Sequence, residues 1–248
     1  MKLARALFLC SLLATATNAV AGVSKISSPT VTKGKASIEY SGTRNDDDKG
    51  SKGDNKQKHR VDLEYGLTDN LKIGIEGNFE RQRKDPTELK TYGVEAQYEF
   101  TEQGQWWLSS ALKLEYTLAV LDSDADEIEL KWIAARRIED TSLLSNVTFG
   151  RELGSNREGG ITVNTKLQAV QNITTYANPG LEWHGDFGTI GNFASEESNE
   201  HYVGPIVTGD IANIAGGTID YTAGYYWGIG NKATDEAARV QISYEIKF

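Results

Sequence analysis

Every second residue of the closing stretch is apolar. Ala238, Val240, Ile242, Tyr244, Ile246 and Phe248 share one parity, and Arg239, Gln241, Ser243, Glu245 and Lys247 share the other. Side chains of an extended strand point alternately to opposite faces, so a period of two makes a ribbon with one greasy side and one ionic side. Such a ribbon needs an apolar solvent on one face and water or counter-charges on the other. That leaves a β-sandwich, a soluble closed barrel, or a barrel wall immersed in lipid.

The pattern recurs along the chain. About twelve segments of roughly ten residues, the length a tilted membrane strand requires, fall near 36–44, 57–67, 71–82, 89–100, 106–119, 127–137, 141–152, 160–171, 179–188, 202–210, 218–229 and 237–248. In the fifth, Leu108, Leu112, Leu114, Tyr116 and Leu118 oppose Ser109, Ala111, Lys113, Glu115 and Thr117. In the third, Leu71, Ile73, Ile75 and Phe79 oppose Lys72, Glu76, Asn78 and Glu80. The ninth sets Leu181, Trp183 and Phe187 against Glu182, His184 and Asp186. The tenth reads as the weakest, because Gly204 and Pro205 interrupt it and proline removes a ladder donor. A slip of one residue would turn each charged set toward the apolar side, at about 2–4 kcal/mol per basic residue near a bilayer midplane.

Connections alternate in character. Tight turns such as Thr68–Asn70, 101–105 and Ile138–Asp140 interleave with polar loops such as 45–56, 83–88, 120–126, 153–159, 189–201 and 230–236. Threading the strands up and down collects Tyr65, Tyr98, Phe100, Trp106 and Phe248 at the tight-turn end. Tyr40, Phe79, Tyr92, Tyr116, Phe149, Tyr225 and Trp227 collect at the loop end. Two aromatic bands flanking an aliphatic band are the interfacial girdles of a lipid-facing wall, and a soluble sandwich has no reason to build them. The sequence therefore predicts an all-β fold, a transmembrane antiparallel up-and-down β-barrel of about twelve strands with a polar, charged lumen. Its mean hydropathy of −0.45 is compatible with this, since only alternate residues meet lipid.

The closing strand, with Tyr244, Ile246 and the terminal Phe248, resembles the last strand of Gram-negative outer-membrane barrels. The resemblance implies an assembly signal read by the barrel-assembly machinery. Further stretches resemble a family of uncharacterised proteobacterial porin-like barrels. These are Ser28-Pro29 through Gly34-Lys35-Ala36-Ser37-Ile38-Glu39-Tyr40, Leu63-Glu64-Tyr65-Gly66-Leu67-Thr68-Asp69, and Pro179-Gly180-Leu181-Glu182-Trp183-His184-Gly185-Asp186-Phe187-Gly188. The likeness implies an outer-membrane location, with lipid and lipopolysaccharide as surroundings, and brings no catalytic or ligand residues with it.

The amino terminus fits that address. Lys2 and Arg5 precede an apolar run from Ala6 to about Ala14, and Ala19-Val20-Ala21 offers a small-residue cleavage site, so residues 1–21 read as a signal peptide. Residues 22–35 read as a short periplasmic lead and 36–248 as the barrel. Removing 1–21 takes two of the positive charges with it, leaving 227 of 248 residues and a net charge of −11 in place of −9. The acidic balance argues against nucleic acid. Cys10 is the only cysteine, so the mature chain has no disulfide, thiolate metal site or thiol nucleophile.

If the apolar face meets lipid, the other face lines the lumen. Its inward residues include Glu39, Asp62, Glu64, Glu76, Glu95, Lys113, Glu115, Glu129, Lys131, Lys166, Glu182, His184, Asp186, Arg239 and Glu245. Arg60, Lys72, Glu80, Glu99, Arg137, Asp220 and Lys247 have the same phase. Charges there have to pair or stay wet. The acid excess favours a wet, cation-attracting pore, and a narrower barrel closed by ion pairs is the alternative. Loops look too short to form a large plug.

Enzyme chemistry is weakly supported. Only His59, His184 and His201 are present, no G-x-S-x-G occurs, and an envelope-lipid hydrolase would have to work through His184 or His201. Glu182, His184 and Asp186 lack the further ligands a metal would want. The acidic runs at 45–50 and 122–126 miss the glycine or closing glutamate of a calcium loop. No cofactor or metal is expected. The sequence points to a porin-like channel for small polar or cationic solutes, with a non-conducting interaction barrel as the rival. Oligomeric state is not encoded in these patterns.

Overall fold

A computed structural model describes residues 22–48, 51, 53–101, 106–193 and 200–248. The expected signal peptide, most of the 101–105 turn and parts of two loops lie outside these residues. Among the described residues the chain forms thirteen strands: β1 (Lys35–Asp46), β2 (Gln57–Gly66), β3 (Leu71–Arg81), β4 (Glu88–Thr101), β5 (Ser109–Ala119), β6 (Asp126–Ile138), β7 (Thr141–Leu153), β8 (Thr162–Gln171), β9 (Asn178–Thr189), β10 (Asn192–Phe193), β11 (Glu200–Ile214), β12 (Gly217–Ile229) and β13 (Glu236–Lys247). All but the two-residue β10 join one antiparallel wall in chain order. The closing strand β13 pairs with β1 from Lys35↔Lys247 to Asp46↔Glu236, so the sheet has no free edge. Twelve wall strands match the number of alternating segments. The added strand, β10, extends the loop-end tip of β9.

The parity holds. Ile38, Ile75, Val94, Leu114, Leu130, Leu167, Leu181, Val240 and Ile242 are exposed on the outer surface, while Asp62, Lys113, Glu115, Glu182 and Arg239 are at most 2% exposed. An inside-out distribution of this kind requires hydrocarbon outside the wall. The expected girdle residues Tyr65, Tyr98, Phe100, Trp106 and Phe248 are exposed at the tight-turn end, as are Tyr40, Tyr92, Phe149, Tyr225 and Trp227 at the loop end.

The segment around Gly204-Pro205, expected from sequence to be the weakest, is interrupted on one side only. It is part of β11, the longest strand, and its ladder to β9 runs unbroken from Glu200↔Asp186 to Thr208↔Asn178. The interruption falls on the other side, where pairing to β12 skips from Val203↔Trp227 to Ile206↔Gly224. The missing proline N–H is thus spent at a gap in one ladder. Gly204 allows it, because a Cβ there would lie 1.9 Å from the Tyr225 carbonyl oxygen.

The lead is the largest departure. Residues 23–31 do not lie outside the barrel in the periplasm; they run inside it, from the Thr43 level of β1 down to the tight-turn end. Val23, Ile26, Ser27 and Val31 are buried. Below them the chain turns into β1, where the Gly34 N–H donates to the Gly66 carbonyl at 2.9 Å and the Phe248 N–H to the Gly34 carbonyl at 2.9 Å. Gly66 makes room for this entry, since a Cβ there would meet the Thr32 carbonyl oxygen at 2.0 Å.

Candidate functional site

An extended segment inside a closed barrel finds no strand to pair with, yet its backbone groups still require partners. Lumen side chains supply them. Thr43 Oγ1 donates to the Val23 carbonyl at 3.0 Å, Arg239 Nη1 to the Ser24 carbonyl at 2.5 Å, and Lys166 Nζ to the Lys25 carbonyl at 3.0 Å. Asn146 closes a two-way pair with Ser27, accepting from its N–H at 2.7 Å and donating to its carbonyl at 2.9 Å. Gln97 Nε2 donates to the carbonyls of Ser28 and Pro29 at 3.0 Å each, and the Val31 N–H donates to Glu99 at 2.7 Å. Side chains from β1, β4, β7, β8 and β13 thus replace a ladder.

Around this strap the ionic residues form two groups. On β1 to β6, Arg60 reaches four carboxylates: Asp62 at 2.7 Å, Glu76 at 2.5 Å, Glu95 at 3.1 Å and Glu115 at 3.0 Å. Lys113 pairs with Glu95 at 2.5 Å, Lys131 with Glu115 at 2.5 Å and more distantly with Glu129 at 3.8 Å, and Lys72 with Glu64 at 2.8 Å. Lys25 of the lead completes the set, facing Glu39 at 3.0 Å, Asp62 at 3.4 Å and Glu64 at 3.8 Å. Seven carboxylates here face five bases. The carboxylates of Asp62, Glu76 and Glu95 converge within 4.8 Å, as metal ligands would, but Arg60 already supplies the cation.

On the opposite wall a single carboxylate is the hub. Glu182 accepts from Arg239 at 2.8 Å, Gln168 at 2.7 Å and Tyr226 at 2.6 Å, and pairs with His184 at 3.0 Å. Val23 joins Val170, Tyr202, Ile206, Tyr226 and Ala237 in an apolar cluster beside it. Asp186, grouped with Glu182 and His184 by sequence, instead accepts from the Gly188 N–H at 2.7 Å. Glu245 sits at the tight-turn end beside Lys35, to which it is ion-paired. Tyr244, Ile246 and Phe248 occupy the outward face of the same end, and the Tyr244 hydroxyl donates to the carbonyls of Ile214 and Ala215 at 3.2 Å.

Arg137, assigned the lumen phase, is exposed near the β6–β7 turn beside Asp140. His59 and His201 stack on Tyr40 and Trp183 of the outer surface, with centroid distances of 6.0 and 5.4 Å. They are therefore separated by the wall from lumenal His184, which takes two of the three histidines away from any common centre. Sequence reasoning missed Lys25, Gln97, Asn146 and Tyr226. For Gln97 and Asn146 the signal was present as polar residues on the inward parity.

Above the strap lies a cavity of about 340 Å³ opening toward the loops. Val23 to Lys25 contribute to its lining together with Arg60, Glu115, Glu127, Glu129 and Glu152. The lead and the ion pairs span the middle of the lumen, and the open space lies in this loop-side vestibule. Among the described residues, what crosses the lumen is the amino-terminal strap.

No family model matches the sequence, and no curated protein matches it. Among solved structures the chain is similar to an outer membrane channel from Pseudomonas putida F1, at 12% identity and a TM-score of 0.62, covering 91% of this chain and all of that one. It is also similar to a KdgM porin, at 10% identity and a TM-score of 0.53 over 86% of this chain and 99% of the other. A KdgM porin in complex with disordered oligogalacturonate gives 9% identity and a TM-score of 0.54. With this wall, this inside-out surface and these neighbours, the fold is that of the porin-like outer-membrane β-barrels.

Proposed function

We propose that this protein is a passive outer-membrane channel for small polar or cationic solutes, with the lead acting as a constriction across its lumen. The acid-rich vestibule continuing into an ionic lumen carries the reading. Surplus carboxylates on low-dielectric walls concentrate cations and repel anions. A polyuronate of the kind bound by the KdgM neighbour is a polyanion, and the seven-to-five excess of acids over bases disfavours it here. Glu127, Glu129 and Glu152 would set the preference, while Arg60, Lys113 and Lys131 hold the deeper carboxylates in place.

The test is reversal potential in planar bilayers under a salt gradient, with the full barrel and with residues 22–31 deleted. The expected result is a small cation-selective conductance that rises when the lead is removed. Lys25→Met, which leaves the strap's backbone contacts intact, should raise it less. Silent bilayers with both the full and the lead-deleted protein, or an anion preference, would overturn the reading.

A further inference from the structure

The outer wall carries a feature that channel function does not use. Between β5 and β11, in the half nearer the tight turns, a trough of about 540 Å³ indents the lipid-facing surface. Its floor exists because three outward positions hold small residues: Ala134 pairs with Ser145 across β6–β7, and Ala169 of β8 lies between Leu143 and Leu181. Leu143 and Leu181 stand up as flanks and are exposed. The Trp183 ring closes the upper end. It is folded toward the loops over Gly185, where a Cβ would meet it at 2.5 Å.

At the lower rim sits a cation. The Arg136 guanidinium lies 5.6 Å from the centroid of the exposed Trp107 ring, and among the described residues it has no carboxylate within ion-pair range. This rim is at the tight-turn end, where a barrel of this class meets the periplasmic leaflet. That leaflet is built of phospholipid. An apolar trough ending in a guanidinium that no described carboxylate pairs, beside an interfacial tryptophan, matches an acyl chain ending in a phosphodiester. The guanidinium offers the phosphate two parallel N–H donors, and the indole positions it.

We infer that Arg136, Trp107 and the trough floored by Ala134, Ser145 and Ala169 form a binding site for one phospholipid of the periplasmic leaflet. The head-group phosphate sits on Arg136 and one acyl chain lies along the floor. The charge complementarity fixes the occupant, since a trough made for fatty tails alone would need no cation at its end.

Native mass spectrometry of the full barrel released from mild detergent tests this, with phosphatidylglycerol or diacylglycerol added. Folding of each variant is read from heat-modifiable gel mobility. The wild type is expected to retain one phosphatidylglycerol and little diacylglycerol. Arg136→Gln should lower retention about tenfold, in line with the loss of a charge-assisted hydrogen bond, and Arg136→Lys should restore part of it. Ala169→Phe fills the floor and should abolish retention while Arg136 stays in place. Equal retention by the wild type and Arg136→Gln, or equal retention of diacylglycerol and phosphatidylglycerol, would overturn the site.

Discussion

The two sides of the lumen solve the same problem differently. The wall from β1 to β6 holds its charges in a mesh in which Glu115 has three basic neighbours, Arg60, Lys113 and Lys131, and Arg60 has four acidic ones. The wall from β8 to β13 concentrates on Glu182, which pairs with both Arg239 and His184 and is set beside an apolar cluster. A mesh spreads the loss of any one member over the remainder, whereas a hub strands everything attached to it. The lead bridges the two, with Lys25 in the mesh and Val23 in the cluster.

Glu182→Ala gives the sharpest test of this contrast. It leaves a fully buried Arg239 without its carboxylate, and such losses cost about 3–5 kcal/mol. Tryptophan fluorescence during urea unfolding of the barrel in lipid vesicles would measure it. Glu115→Ala removes an equally buried acid, but its three bases retain other carboxylates, so the same assay should show roughly 1–3 kcal/mol. Equal losses for these two variants would erase the distinction between mesh and hub.

Val23→Ala weakens the strap on the cluster side. Removing its buried methyl groups should cost about 1–2 kcal/mol, and channel current should become noisier as the strap loosens. Smallest is Lys72→Ala, at the margin of the mesh, where the side chain is 18% exposed and the pair with Glu64 is partly hydrated. A loss of about 1 kcal/mol or less is expected, with raised salt shrinking it further.

The wall was readable from sequence because parity alone separates its faces. Leu112 and Leu114 against Lys113 and Glu115 fix the register of β5 without reference to any other strand. The same parity placed Glu182 and Arg239 inside, though not beside each other, since their contact depends on how β9, β11, β12 and β13 stack around the barrel. Tyr226 was passed over because it carries an aromatic ring like its neighbours, although the outward assignment of Tyr225 and Trp227 already put it on the inward parity. Pro205 misled because proline's cost depends on which neighbour its missing N–H faces. The strap left the weakest trace. Its partners are side chains up to 215 residues away along the chain, and a segment bonded to side chains in place of a ladder needs no hydrophobic period of its own.

The placement of the lead is tested most directly by a disulfide between Ser27→Cys and Asn146→Cys, since residues 22–248 contain no cysteine of their own. Asn146 now holds both backbone groups of Ser27. In outer-membrane preparations the double variant should oxidise nearly completely, with each single variant staying reduced, and the locked barrel should conduct no better than the wild type. A double variant that remains reduced under oxidant, or that forms its bond only between separate molecules, would show the segment outside the lumen.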